Sequence, residues 1–307
     1  MPQSRESVSA TLNAIASRRP ALHSILSAFE PLLTASAALP DALADELRNG
    51  TAPLPQARPE RLAQGVPVMA DAPTQWAAPL MRVAARHLLP VITAHQSLAG
   101  SRAGLEKAFD QDDTALAGIM SAIVHGDAGA LTRAARQHDV PEAVFAFAAN
   151  AVAGPVLHAM TQHHLHDADF AAWREGTCPV CGSFPSIAYL GRPDPDQSEF
   201  LRSGGGKKHL HCSLCTHEWL FRRGACPSCG NEDPGALEYL RDPQTPWERI
   251  DLCRKCNTYC PGVDLRETTE NPQMDAMALG MLHLDLVAAR EGLMPLAPSF
   301  WNTFDDE

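Results

Sequence analysis

Four Cys-x-x-Cys pairs constrain this chain more than any other feature: Cys178-Pro-Val-Cys181-Gly182, Cys212-Ser-Leu-Cys215, Cys226-Pro-Ser-Cys229-Gly230 and Cys253-Arg-Lys-Cys256. All nine cysteines fall between Cys178 and Cys260, so everything before Cys178 is free of them. A disulfide framework spreads its cysteines over the fold it staples, whereas clustered pairs with two-residue spacers are a metal-binding pattern. The spacer lets both sulfurs of a tight turn face one ion while backbone N–H groups point at them, and glycine after the second cysteine tolerates the positive φ such a turn needs. Each pair is half of a tetrahedral site. Sequential grouping gives Cys178/Cys181/Cys212/Cys215 and Cys226/Cys229/Cys253/Cys256. The rival grouping closes Cys212/Cys215 on Cys226/Cys229 across a ten-residue gap and leaves the outer pairs to each other. The sequential grouping makes two tandem rubredoxin-like or zinc-ribbon modules, each begun by a Cys-Pro-x-Cys-Gly turn.

Four thiolates suit Zn²⁺ and mononuclear iron alike, so the expectation is two metal ions per chain, iron or zinc. Modules of about 50 residues bury little apolar surface, and a structural Zn²⁺ contributes about 10–16 kcal/mol of apparent binding free energy, so metal and fold should form one equilibrium. Four pairs exceed what thiol–disulfide exchange requires, and the odd Cys260 reads as a bystander.

The rest of the chain divides by composition. Residues 1–168 are rich in Ala and Leu and carry helix punctuation: Pro20 opening Ala21–Leu33, a 3.6-residue period over Gln75–Leu98 that Pro90 should kink or split, Asp112 or Asp113 capping Ala115–Val124, Asp127 capping Gly129–Gln137, and Pro141 before Glu142–Ala153. An all-α domain of six to eight helices follows, with its own core, so that losing a ribbon should leave it near-native. The composition turns rich in Gly, Pro and Cys near Trp173. Residues 169–224 and 225–270 are read as the two metal modules, with β-prone pieces at Ser186–Leu190, His217–Phe221 and Leu237–Leu240. Residues 271–307 hold a last helix, entered through Asn271-Pro272, faced by Met274, Met277, Ala278, Met281 and Ala288 and ended before Gly292, then an aromatic tail that docks or frays. The fold class is a large all-α N-terminal domain followed by two rubredoxin-like modules and a C-terminal helix.

Other features weigh less. The formal charge of −11 disfavours a polyanion partner. Arg202, Lys207, Lys208, Arg222 and Arg223, with His209, His211 and His217, make a locally basic stretch that suits a nucleic-acid-binding zinc ribbon, but equally a solvated face offsetting thiolate charge. Gly204-Gly205-Gly206 reads as a hairpin tip and not a phosphate loop, and His163, His164 and His166 as surface or hinge residues. No hydrolase, metalloprotease or dinucleotide motif is present, so no catalytic residue is assigned. The opening residues lack an apolar h-region, and no apolar stretch of membrane-span length stands out; a cytoplasmic protein without membrane insertion is expected.

Three segments carry a family resemblance: Cys178-Pro-Val-Cys181-Gly-Ser-Phe-Pro185, His209-Leu-His-Cys212-Ser-Leu-Cys215-Thr-His-Glu218-Trp219-Leu-Phe-Arg222-Arg-Gly-Ala-Cys226-Pro-Ser-Cys229 and Cys253-Arg-Lys-Cys256-Asn-Thr-Tyr259. Together with Leu284-Asp285 they resemble the formate dehydrogenase accessory protein FdhE, a likeness covering about residues 170–290. Cys260 departs from the apolar residue more usual there. The resemblance implies a cytoplasmic, non-enzymatic factor that matures a molybdenum-containing respiratory formate dehydrogenase, contacts its catalytic subunit before export and uses cysteine pairs associated with iron. The alternative from the residues alone is a zinc-ribbon protein that binds nucleic acid.

Overall fold

Capping residues written into the sequence start several of the helices. In the computed structural model, which describes residues 5–166, 168–192 and 206–302, the side chains of Ser7, Asp112 and Asp127 accept hydrogen bonds from the N–H groups of Ala10, Ala115 and Ala130. Each satisfies a donor that the first helical turn leaves orphaned. The helices are α1 (Val8–Arg18), α2 (His23–Ala42), α3 (Ala44–Asn49), α4 (Pro59–Leu62), α5 (Ala77–Ile92), α6 (Arg102–Phe109), α7 (Asp113–Val124), α8 (Ala128–Gln137) and α9 (Glu142–His163). Helix α1 goes beyond the sequence expectation.

Proline interrupts less than expected. Helix α5 runs through Pro90 to Ile92, α2 through Pro31 and Pro40, and α9 through Pro155. An interior proline costs a helix about 3 kcal/mol. Helix α5 offsets that by burying Leu80, Met81, Ala84, Leu88 and Ile92 on one face, and α9 by burying Phe145, Val152, Val156 and Met160. The expectation of no span-length apolar stretch is corrected: Pro20–Asn49 and Glu142–His163 are long and apolar enough to cross a membrane. In this fold α9 is instead the central core helix, and α2 lies against both cores described below.

The second half builds one seven-stranded sheet from β1 (Pro185–Leu190), β2 (Lys208–Cys212), β3 (Glu218–Phe221), β4 (Leu237–Asp242), β5 (Thr245–Cys253), β6 (Thr258–Asp264) and β7 (Met294–Pro295). The order is β3-β2-β1-β6-β5-β4, with β7 beside β6. Two antiparallel units, β1-β2-β3 and β4-β5-β6, repeat one plan of Cys pair, strand, strand, Cys pair, strand. They join through a parallel pairing of β1 with β6 that sets Ala188 opposite Gly262 and Leu190 opposite Asp264. The expected strands at Ser186–Leu190, His217–Phe221 and Leu237–Leu240 fall on β1, β3 and β4. Gly204 and Gly205 of the expected tip, and Arg202 of the basic stretch, lie outside the described residues.

Two apolar cores hold the layers together. The first packs α5, α7 and α9 against Cys178, Cys181, Cys212, Cys215 and Trp219. The second gathers Val8, Leu12 and Ile15 of α1 with Ile187, Ile250, Tyr259 and Val263 of the sheet and with Met274, Met277 and Leu279. Packing therefore runs across the compositional borders at 168 and 270. The last helix is two: α10 (Met274–Gly280), capped by the Gln273 side chain in place of Asn271, and α11 (Leu282–Arg290), which stops before Gly292 at φ +67°. The tail docks, with Trp301 5.2 Å from Phe29 and Phe300 5.1 Å from Phe147, ring centre to ring centre. Phe304 and the acidic end lie outside the described residues.

Candidate metal centres

The four turns share one local geometry. In the first and third, the N–H groups of Gly182 and Gly230 close onto the carbonyls of Cys178 and Cys226 at 2.9 and 3.0 Å. The residue after each second cysteine is left-handed in all four: Gly182 (φ +79°), Thr216 (+57°), Gly230 (+68°) and Asn257 (+60°). Glycine marks only two of them in the sequence. Asn257 is tied by its Nδ2, which donates to the Gly292 carbonyl at 3.1 Å, whereas Thr216 is β-branched and its buried hydroxyl has no partner among the described residues. Backbone N–H groups of Val180 and of Leu214 and Cys215 point at Cys178 Sγ and Cys212 Sγ, each at 3.4 Å.

The sulfurs gather in the sequential grouping, Cys178/Cys181/Cys212/Cys215 and Cys226/Cys229/Cys253/Cys256. Separations are 3.5 Å (Cys178–Cys215), 3.4 Å (Cys181–Cys212) and 3.5 Å (Cys181–Cys215) in the first group, and 3.6 Å (Cys226–Cys256) and 3.8 Å (Cys229–Cys253) in the second. Metal–sulfur bonds of about 2.3 Å in a tetrahedron place sulfurs about 3.8 Å apart. Both groups fit a four-coordinate zinc or iron ion, and the donor set does not choose between them.

Electrostatics agree with that donor chemistry. Burial pushes Cys178 and Cys215 well up, whereas at Cys181 burial is outweighed by hydrogen bonding with Cys178, Cys212, Cys215 and Ser183, which holds it well below the usual thiol range. In the second group burial raises Cys226 to about 12, while at Cys256 hydrogen bonds from Thr258 and Cys229 overcome burial and bring it to about 6. In each group one sulfur is thus held lower than its buried neighbours, in keeping with cysteines that bind an ion as thiolates. Cys260 belongs to neither group; it lies buried on β6, donates to the Pro261 carbonyl at 3.4 Å and is pushed up to about 12 by burial.

Surroundings differ. All four cysteines of the first group are buried, and helical-half residues cover their turns: Val68 N donates to the Pro179 carbonyl at 2.8 Å and Met69 N to that of Val180 at 2.9 Å. Helix α9 comes so close that a Cβ on Gly154 would lie 2.7 Å from the Leu214 carbonyl oxygen. In the second group Cys229 is exposed and Cys256 half-buried, with Ser228, Gly230, Arg254 and Lys255 open around them. A cleft of about 250 Å³ touches Cys226 and Cys253 from the inside, between Lys208, Arg223, Arg249, Asp251 and Tyr239.

Part of the basic stretch is spent on carboxylates. Lys208 Nζ donates to Asp251 at 2.7 Å, Arg222 pairs with Glu232 at 2.7 Å, and His209 stacks on Tyr189. His211 bridges Glu218 (3.2 Å) and Asp275 (2.9 Å); although burial disfavours its charge, the two carboxylates raise it to about 10. Glu218 also accepts from Arg5 at 2.6 Å and from the Tyr189 hydroxyl at 2.5 Å. This network, which joins the chain's beginning and its last helices to the residue before Cys212, has no sequence signature beyond the separate polar residues. His163 and His164 sit at the end of α9, against Asp41 and the Pro55 carbonyl, and join no metal-type cluster among the described residues.

No family model matches the chain. Among curated proteins it is 33% identical over 129 residues to the FdhE homolog of Aquifex aeolicus, 42% of each chain. It is 33% identical over 114 residues to that of Shewanella oneidensis, 36% of this chain and 33% of the relative, and 31% identical over 118 residues to that of Yersinia pestis, 38% and 33%. The chain therefore matches at most about two fifths of these relatives' length. The crystal structure of the FdhE protein from Pseudomonas aeruginosa shares the fold, with a TM-score of 0.59 over 97% of each chain at 21% identity. The resemblance carried by the cysteine segments is borne out in these similarities.

Proposed function

We propose that this chain is a cytoplasmic accessory protein for the maturation of a molybdenum-containing formate dehydrogenase, and that it holds the enzyme's catalytic subunit before export. The observation that carries this reading is the pair of tetracysteine groups set in a fold shared with a protein named FdhE. Cys178, Cys181, Cys212 and Cys215 hold one ion and Cys226, Cys229, Cys253 and Cys256 the other. Iron, if bound, would add the capacity to pass single electrons; zinc would only fix the turns. The chain's own residues act by binding: the ribbons and the adjoining helices present the client surface, and no catalytic residue is required.

Two measurements test this. X-ray absorption of the metal-loaded chain is expected to give four sulfur neighbours at about 2.3 Å for either metal, and nitrogen or oxygen in that shell overturns the ligand set. The formate dehydrogenase catalytic subunit is expected to co-purify with both the iron-loaded and the zinc-loaded chain. If neither form captures it, with or without oxygen, the accessory reading fails.

A further inference from the structure

We infer that the two metal centres have different tasks, and that the Cys226 centre is an exchange site at which a thiolate from another molecule displaces Cys229. The inference rests on the reading of both groups as metal sites. The two groups share donor set and turn geometry, so intrinsic sulfur chemistry does not separate them; access does. A thiolate entering a filled four-sulfur site must reach the ion past the sulfurs already there, and it needs an edge of the tetrahedron that faces solvent. The Cys178 centre offers none. Its four cysteines are buried, loop residues Val68 and Met69 bond to the first turn, and α9 presses on the second at Gly154.

The Cys226 centre presents the edge between Cys229 and Cys256. Cys229 is exposed, Cys256 half-buried, and Ser228 and Gly230 on one turn and Lys255 on the other leave the approach open. Cys226 and Cys253, both buried, hold the ion from behind while one front ligand is replaced. The exchange balances: the entering thiol gives up its proton and its sulfur binds the ion, the ion's bond to Cys229 breaks, and the released Cys229 thiolate takes up a proton. No electron moves and the ion keeps its oxidation state. The ligand class is a thiol or closely spaced dithiol, such as a cysteine-bearing segment of another protein.

The test uses the full chain loaded with two zinc ions, a chromogenic chelator, and dithiothreitol as the probe thiol. A stoichiometry below two ions per chain at the start is a failure of the metal-site reading itself and is seen before any thiol is added. With two ions bound, one equivalent is expected to leave at least about tenfold faster than the other, at a rate that rises with thiol concentration. Cadmium-113 resonances of the substituted wild-type chain, assigned through their couplings to cysteine β-protons, identify the centre that empties first, so the test does not depend on a variant that folds. Cys229→Ser, which lacks a ligand of the exposed centre, is expected to load one ion and to release it at the slow wild-type rate, and the wild-type cadmium resonances carry the decision on exchange. Equal rates, a fast phase indifferent to thiol, or faster loss from the Cys178 centre each overturn the proposal.

Discussion

The two ribbons share a chain plan and differ in what encloses them. The first has its four sulfurs inside the helical core, under α9 and the loop at Val68–Met69; the second keeps Cys229 in solvent and leans on the rest of the protein mainly through β5 and β6. The lesson is that a metal site's contribution to a fold depends on how much apolar packing is registered on its turns, and not on its ligands alone. Where turns are packed on both sides, metal, ribbon and helices become one cooperative unit.

The sharpest way to break the comparison is to remove one ligand from each centre. Cys181→Ser withdraws a ligand from a site whose ion contributes on the order of 10 kcal/mol and opens a polar hole in the helical core. Helical far-UV signal should fall and thermal unfolding should broaden, contrary to the sequence expectation of an independent helical domain. Cys256→Ser should lose one ion and keep most of the helical signal. Equal losses in the two variants would erase the distinction.

A smaller effect isolates the layer behind the second ribbon. Asp285, buried on α11, accepts from the Tyr259 hydroxyl at 2.8 Å, and burial raises its carboxyl to about 6 despite that hydrogen bond. A carboxyl raised in the folded state favours folding while protonated, so this contribution is present below the unfolded value near 4 and is lost as pH rises through 6. Urea melts of Asp285→Asn should gain about 2–3 kcal/mol relative to the parent between pH 4 and pH 7, and an unchanged difference would contradict the burial argument. Next comes Gly154→Ala, which drives a methyl group towards the Leu214 carbonyl. It should cost about 1–3 kcal/mol and speed metal loss from the first centre alone. The smallest effect separates the two non-glycine turns: Thr216→Gly relieves a left-handed β-branched residue and should add about 1 kcal/mol, whereas Asn257→Gly forfeits the bond to Gly292 and should add nothing.

The sequence made both tetracysteine groups legible because their spacing is set by local geometry that any tight turn must satisfy. The helical first half was legible through the caps at Asp112 and Asp127. Strands β2, β5 and β6 were not singled out: Lys208 and His211 in β2 and Glu248 in β5 interrupt the apolar alternation that marks a strand, each buried against a partner supplied from elsewhere, and β6 carries Pro261-Gly262, which reads as a break. Long-range pairing also hid the difference between the centres. Nothing near Cys178 announces that Val68 and Met69, over a hundred residues earlier, will bond to its turn.

Helix α1 carries one more consequence. Ile15 packs so closely on the end of α10 that a Cβ on Gly280 would collide with its Cδ1, and just before α10 Gln273 N donates to Thr11 Oγ1 at 3.0 Å. A growing polypeptide adds about 5–20 residues per second, so α1, which already has α2 beside it, waits roughly 15–50 s before α10 is made. The second core therefore closes only after α10 has been made, and a nascent chain arrested short of Gln273 should expose α1 to protease.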